Sequence, residues 1–137
     1  METPYLVDSK TGTRWIAQAV RDLGDAQYLR GGGRYNTSCF MAHQAAIKAL
    51  TGYLYSEGAE AVWGSSVADL CEDAGVFDQR FFVLKSDTVY LDKYASITLR
   101  PDMLPGGIPA DVFDDLESER AMRLAQQVVD FVSECTR

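Results

Sequence analysis

The sequence predicts an all-α protein, an antiparallel up-and-down bundle of four to five helices. Apolar residues recur every three to four positions over most of the chain, which is the period of an amphipathic helix. Glycine and proline separate these stretches, and no pair of segments is typical of partnered β-strands. Most of the connections are short, so successive helices are expected to lie side by side in opposite directions.

The first helix is predicted over residues 13–30, and its apolar stripe consists of Trp15, Ala19, Ala26 and Leu29. Asp22 falls in the middle of this stripe. A carboxylate there is costly unless it is paired, and the candidate partners are His43, Lys48 and Arg100. Asp22 therefore belongs either to a structural ion pair that fixes the helix register or to the wall of a polar pocket between helices.

Three consecutive glycines, residues 31–33, are expected to end the first helix, because glycine is a poor helix former. Arg30 and Arg34 flank them. Backbone amides of a glycine-rich loop and two guanidinium groups can hold an anion. A flexible connection between helices needs the same glycines, so both interpretations stay open.

The second helix is predicted over residues 35–57, with an apolar arc wide enough to pack on two sides. His43, the one histidine of the sequence, borders that arc. As a general base it would need a nucleophile and an orienting acid, and the sequence places neither. A histidine at the border of the core, hydrogen-bonded to a neighbour, is the favoured interpretation.

A short third helix is predicted to begin after Ser66, whose spacing to Asp69 resembles a capping box, and to end at Gly75. A fourth is predicted over residues 78–96, followed by a long loop rich in proline and glycine. The last is predicted over residues 111–133. The carboxylates in its first turns suit the positive end of the helix dipole, which we favour over a metal site.

Composition bounds the function. A chain of 137 residues has room for one domain, and its net charge of -7 disfavours binding to duplex DNA. No apolar run is long enough to span a membrane, and Met1 to Lys10 lack the pattern of a secretory signal. Three cysteines without a CxxC pair indicate a reducing cytoplasm. No motif for a metal or a cofactor is present, so neither is expected.

Three stretches together resemble the HEPN family. Trp15, Asp22, Leu23 and Ala26 are similar to the family's opening helix, of the form W…A..DL..A. Residues 35–50, YNTSCFMAHQAAIKAL, resemble the helix "y..a.f.ahQAaEKaLKA" and are the most specific match. Leu91 to Tyr94 and Arg100 to Asp102 are similar to "L..Y…tRYPD". The chain is thus interpreted as a single HEPN-like helical domain over residues 1–137.

The resemblance implies a helical bundle that usually pairs as a homodimer. Many family members bind a small nucleotidyltransferase of the MNT type encoded beside them, and some pairs act as toxin and antitoxin. Ribonuclease members carry an R-x4-6-H motif. Here no arginine precedes His43 at that spacing, since eight residues separate it from Arg34.

The sequence therefore predicts a non-catalytic HEPN protein that binds a nucleotidyltransferase, a nucleotide, or both, in a cleft between helices. The alternatives are a divergent ribonuclease acting on RNA and a purely structural dimer. The residues expected to line the binding cleft are Asp22, His43, Lys48, Tyr94, Arg100 and Asp102.

Overall fold

The computed structural model describes residues 10–136, and the regular secondary structure of this part of the chain is all helical, with no β-strand. The α-helices are α1 (Thr11–Gly31), α2 (Tyr35–Ser56), α3 (Val67–Gly75), α4 (Arg80–Thr88), α5 (Pro109–Val112) and α6 (Asp115–Cys135). Two 3₁₀ helices, Val89–Tyr94 and Pro101–Met103, lie between α4 and α5. The prediction of an all-α bundle is confirmed.

Helices α1 and α2 form an antiparallel pair with unusually close backbones. A Cβ atom on Gly12 would lie 2.6 Å from the carbonyl oxygen of Gly52, and one on Gly52 would lie 2.8 Å from that of Gly12. At the other end of the pair, Ser38 Oγ donates a 2.7 Å hydrogen bond to the carbonyl of Ala26. Alanines fill the seam, and the fully buried ones are Ala19, Ala26, Ala42, Ala45, Ala46 and Ala49.

Helix α6 completes the centre of the bundle. It runs in the same direction as α2, because Ser118 near its start donates a 2.8 Å hydrogen bond to Ser38 near the start of α2. It runs against α1, because Asp115 at its start pairs with Arg30 near the end of α1. Its buried face consists of Ser118, Ala121, Ala125, Val128, Val129 and Val132.

Helices α3 and α4 form an antiparallel hairpin that packs on the C-terminal halves of α2 and α6. Ser66 caps α3 as predicted, since its side chain accepts a 3.0 Å hydrogen bond from the amide of Asp69. The Phe82 ring lies directly on Gly75, where a Cβ atom would be 2.2 Å away. Phe81 is fully buried between Tyr53 of α2 and Phe131 of α6, with ring centroids 4.3 and 4.9 Å apart.

The fourth helix departs from its predicted range of 78–96. The α-helix ends at Thr88, and the chain continues as the 3₁₀ helix Val89–Tyr94. In a 3₁₀ helix residues three apart lie on the same side. The tighter winding therefore directs Leu91 and Tyr94 together into the core, where both are fully buried.

The last helix begins at Asp115, later than the predicted residue 111. Phe113 is buried with an extended backbone, which separates the single turn α5 from α6. Asp114 then serves as the N-cap, since its Oδ1 accepts a 2.9 Å hydrogen bond from the amide of Glu117. Asp115 and Glu117 lie in the first turn of α6, where carboxylates suit the positive end of the helix dipole, as predicted.

None of the helices within residues 10–136 has the length and apolarity needed to cross a membrane. Cys39 and Cys71 are buried and Cys135 is half-buried, and all three are free thiols. The expectation that Met1 to Lys10 lack a secretory signal concerns residues that, apart from Lys10, lie outside the described part of the chain.

Candidate functional site

Asp22 forms an ion pair, as its position in the apolar stripe of α1 predicts. It is 2% exposed, and its Oδ2 lies 2.5 Å from Nζ of Lys48 on α2. Its Oδ1 accepts a 2.8 Å hydrogen bond from Gln18, one turn earlier on α1. Of the three candidate partners the structure selects Lys48. Because both carboxylate oxygens are bonded within the chain, the pair holds α1 in register against α2.

His43 lies on another side of α2 and joins three elements. Its ring is 2% exposed, and Nε2 lies 3.1 Å from Oδ1 of Asp92 in the first 3₁₀ helix. A carboxylate can only accept, so this hydrogen bond requires the proton on Nε2. Nδ1 is buried and has no hydrogen-bond partner among the described residues.

Asp92 is also the acceptor for the start of α3. Its two carboxylate oxygens accept hydrogen bonds of 2.7 and 3.0 Å from the amides of Val67 and Ala68. Burial by itself would raise the pKa of Asp92, but the hydrogen bonds from His43 and from these amides hold the pKa below its ordinary value. His43 is thus oriented by an acid that is itself fixed by a helix N-terminus.

Tyr94 belongs to a polar cluster on the opposite flank of the same 3₁₀ helix. Its hydroxyl donates to Oε2 of Glu117 on α6, and Oε1 of Glu117 accepts a 2.8 Å hydrogen bond from Lys93. Burial, followed by the hydrogen bond to Glu117, raises the pKa of Tyr94. Burial would raise the pKa of Glu117, but the hydrogen bonds from Lys93 and Tyr94 keep it below its ordinary value.

Tyr90 and Arg120 extend this cluster to the surface. The Tyr90 hydroxyl accepts hydrogen bonds from Lys93 Nζ at 2.6 Å and from Arg120 Nη1 at 3.1 Å. The two cations also lie over the Tyr90 ring, 4.4 and 5.0 Å from its centroid. We call Tyr90, Lys93, Glu117 and Arg120 the Tyr90 cluster.

Arg100 and Asp102 pair with each other on the surface. Arg100 Nη2 lies 2.6 Å from Oδ2 of Asp102, and both side chains are exposed at the start of the second 3₁₀ helix. Arg100 therefore does not reach Asp22, the partner that the sequence also allowed for it.

The two arginines around the triple glycine have different surroundings. Arg30 pairs with Asp115, with Nε 2.8 Å from Oδ1, whereas Arg34 is exposed. The amides of Gly32, Gly33 and Arg34 donate hydrogen bonds to carbonyls of residues 28–30. Because these amides close the end of α1, they are engaged within the chain rather than directed at an anion.

The predicted cleft residues thus fall into separate groups. Asp22 and Lys48 form one, while His43 faces Asp92 about 140° around α2 from Lys48, since five residues of helix turn the chain by that angle. Tyr94 and the Arg100–Asp102 pair lie in two further groups. No group of histidine, cysteine and acidic side chains within residues 10–136 is arranged to hold a metal ion.

A groove between α1 and α6 has a volume of about 400 Å³. Leu23 and Gly24 line it from α1, and Met122, Val129 and Asp130 line it from α6. None of the predicted cleft residues borders this groove. It is an open, mixed polar and apolar surface.

The family of the chain follows from its sequence as a whole. The model of the HEPN domain matches residues 13–135. The chain belongs to the HEPN family. The HEPN match takes in every helix described above apart from the first two residues of α1.

Solved structures agree with the HEPN assignment. A protein from Thermus thermophilus is 38% identical, with a TM-score of 0.78 over 90% of this chain and 96% of the other. An archaeal HEPN homologue is 26% identical, with a TM-score of 0.75 over 92% and 98%. An HEPN domain protein from Thermotoga maritima is 29% identical, with a TM-score of 0.71 over 89% and 96%. A comparison with curated proteins found no match.

Sequence reasoning missed several polar residues of this HEPN domain that the structure brings together. Asp92 and Lys93 stand within the stretch that resembles the family motif, directly before Tyr94. Tyr90 and Lys93 are three residues apart, a spacing that places side chains on one helical face. That spacing is the feature of the sequence from which the contact between Tyr90 and Lys93 could be predicted. Glu117 and Arg120 could not be found in this way, because their contacts depend on how α6 packs.

Proposed function

We propose that this HEPN protein is a non-catalytic binding protein whose partner is a small nucleotidyltransferase of the MNT type, in a pair of the toxin–antitoxin kind. His43 supports the non-catalytic part, because it is 2% exposed and committed to Asp92. A general base must come within hydrogen-bond reach of the substrate, and a buried ring cannot do so. The absence of the R-x4-6-H spacing in the sequence supports it as well.

An exposed apolar surface carries the binding part of the proposal. Val76 and Phe77 follow α3 with 81% and 51% of their surface exposed, and Phe82 and Val83 near the start of α4 are exposed as well. We call these four residues the α3–α4 patch. Clustered apolar side chains on a surface are typical of protein interfaces, whereas single ones are not.

The charges around the α3–α4 patch indicate the chemistry of the partner. Asp69 and Asp73 on α3 are exposed and have no ion-pair partner among residues 10–136. The nearby cations are already paired, Arg80 with Asp78 and Lys85 with Glu72. An apolar contact bordered by lysine or arginine would therefore be complementary to this surface.

Identification of a nucleotidyltransferase encoded beside this gene, followed by copurification with it, tests the proposal. We expect a stable complex with the wild-type chain and a loss of at least about tenfold in affinity for Val76→Asp, because a carboxylate would replace an apolar contact. Tyr28→Asp is the matched control, since Tyr28 is also strongly exposed but lies on α1. An undisturbed complex with Val76→Asp, or a gene without such a neighbour, would contradict the proposal.

A nucleotide is the second candidate ligand. Lys93 and Arg120 place positive charge near Tyr94, which is one of the predicted cleft residues. Positive charge at this position favours a nucleotide, because its phosphates are negatively charged. Calorimetry with ATP and GTP is the test, and absence of heat at millimolar ligand would leave only the protein partner.

The same proposal includes self-association as a homodimer in the cytoplasm. Light scattering of the purified chain measures its mass in solution. A mass near twice that of the 15.2 kDa chain is expected, and a monomer would contradict this part alone.

A further inference from the structure

Two cations converge on one neutral oxygen in the Tyr90 cluster. Lys93 Nζ and Arg120 Nη1 both donate to the Tyr90 hydroxyl, at 2.6 and 3.1 Å. The two charged nitrogens are therefore at most about 6 Å apart, and like charges at that distance repel each other. Such an arrangement needs negative charge close by.

The chain supplies only part of that charge. Among the residues described, Glu117 is the carboxylate bonded within the cluster. Its Oε1 accepts from Lys93 at 2.8 Å and from the Tyr90 hydroxyl at 3.4 Å, and its Oε2 accepts from the Tyr94 hydroxyl. One carboxylate against two cations leaves an excess of one positive charge at this position. The chain as a whole carries a net charge of -7, so the excess is local.

Both cations keep donors for a ligand. The Arg120 side chain is exposed and uses one of its five N–H groups, in the hydrogen bond to Tyr90. Lys93 uses two of its three, toward Tyr90 and Glu117. The Tyr90 hydroxyl donates its own hydrogen to Oε1 of Glu117 at 3.4 Å, so the donors left for a ligand belong to the guanidinium and the ammonium. A phosphate monoester accepts hydrogen bonds from both kinds of group, and its negative charge would offset the excess positive charge.

We infer that the Tyr90 cluster binds the terminal phosphate of a mononucleotide. The surrounding charge limits the ligand, because Asp114, Asp115 and Glu119 lie in the same first turns of α6. These carboxylates repel a long polyanion more strongly than a single small phosphate, so an RNA strand is disfavoured. That the ligand is a nucleotide rests on the proposed function, in which a nucleotide is the second candidate ligand. That the cluster contacts a phosphate rests on this geometry alone.

Nuclear magnetic resonance titrations with AMP, adenosine and inorganic phosphate test the inference on the intact chain. We expect saturable shifts at residues 90–94 and 117–121 with AMP and with phosphate, and none with adenosine. Arg120→Gln and Lys93→Gln should each weaken binding by about tenfold or more, the effect of removing one charge-assisted hydrogen bond. Arg123→Gln should bind as the wild type does, because Arg123 is exposed on the same helix and faces Glu119 instead.

The outcomes separate the inference from the function on which its ligand rests. Binding of phosphate at these residues without binding of AMP would support the phosphate site and refute a nucleotide ligand. AMP binding that Arg120→Gln leaves unchanged would support the nucleotide function and overturn the site. A site that shows no shift with phosphate up to about 10 mM, or that binds an RNA strand lacking a terminal phosphate equally well, is not a phosphate site.

Discussion

His43 and Asp92 form a hydrogen bond of 3.1 Å that ties α2 to the 3₁₀ helix Val89–Tyr94. Because Asp92 also accepts from the first two amides of α3, one carboxylate holds three elements together. The one histidine of the sequence is thereby assigned a structural role.

The Asp92 carboxylate should make the fold sensitive to acid. A carboxyl whose folded pKa is lowered stabilises the protein above its unfolded pKa, and this contribution is lost as the pH falls through the folded pKa. For Asp92 the loss is expected below the ordinary value of 3.8. Asp92→Asn should cost about 1–2 kcal/mol of unfolding free energy at neutral pH, as for a lost helix cap and hydrogen bond, and should weaken the acid dependence.

Urea unfolding at several pH values measures this effect. Asp102→Asn is the control, since Asp102 forms an exposed pair with Arg100 and should change stability by less than about 0.5 kcal/mol. Equal stability of Asp92→Asn and the wild type at neutral pH would show that the carboxylate is not a structural junction.

The Asp22–Lys48 pair should be costly to break from one side. Removing one partner of a buried pair leaves an unpaired charge, and we expect Asp22→Ala to lose about 3 kcal/mol of unfolding free energy. Lys48→Met should lose a similar amount, because it leaves Asp22 buried and unpaired. The double variant Asp22→Ala, Lys48→Met should lose clearly less than the sum of the two single variants, and a strictly additive loss in this cycle would refute the coupling.

The close approach of α1 and α2 should make Gly52 irreplaceable. A Cβ atom at this position would lie 2.7 Å from Ile16 Cγ1 and 2.8 Å from the Gly12 carbonyl, so Gly52→Ala should destabilise the fold by about 1–3 kcal/mol. Gly24→Ala is a matched control within a helix. Its Cβ would meet nothing within 4 Å, so it should gain roughly 0.5–1 kcal/mol through helix propensity. The same sign for both variants in thermal unfolding would contradict the packing.

The three cysteines should differ in reactivity. Burial raises the pKa of the Cys39 and Cys71 thiols to about 12, so they are protonated and shielded in the native state. Cys135 is half-buried near the end of α6. Iodoacetamide at about pH 8 should therefore label Cys135 first, with labelling located by mass spectrometry, because the thiolate is the reactive form. Prompt labelling of Cys39 in the native protein would show an open core.

The sequence was sufficient to predict α1, α2 and α3 almost to the residue, because their apolar periodicity is flanked by glycine or by a serine cap. It also predicted that Asp22 needs a partner. It did not predict the 3₁₀ helix after Thr88, since Leu91 and Tyr94 fit either helical period and packing decides between them. The sequence did not predict the Tyr90 cluster either, because Arg120 lies thirty residues from Tyr90 and the two meet only through tertiary packing.

The most direct test of the proposed non-catalytic role is an RNA cleavage assay with the purified chain and total RNA. We expect the RNA to stay intact, because His43 is buried against Asp92 and no arginine stands at the ribonuclease spacing. Cleavage by the wild-type chain that disappears in a folded His43→Gln variant would contradict this expectation and identify the protein as a ribonuclease.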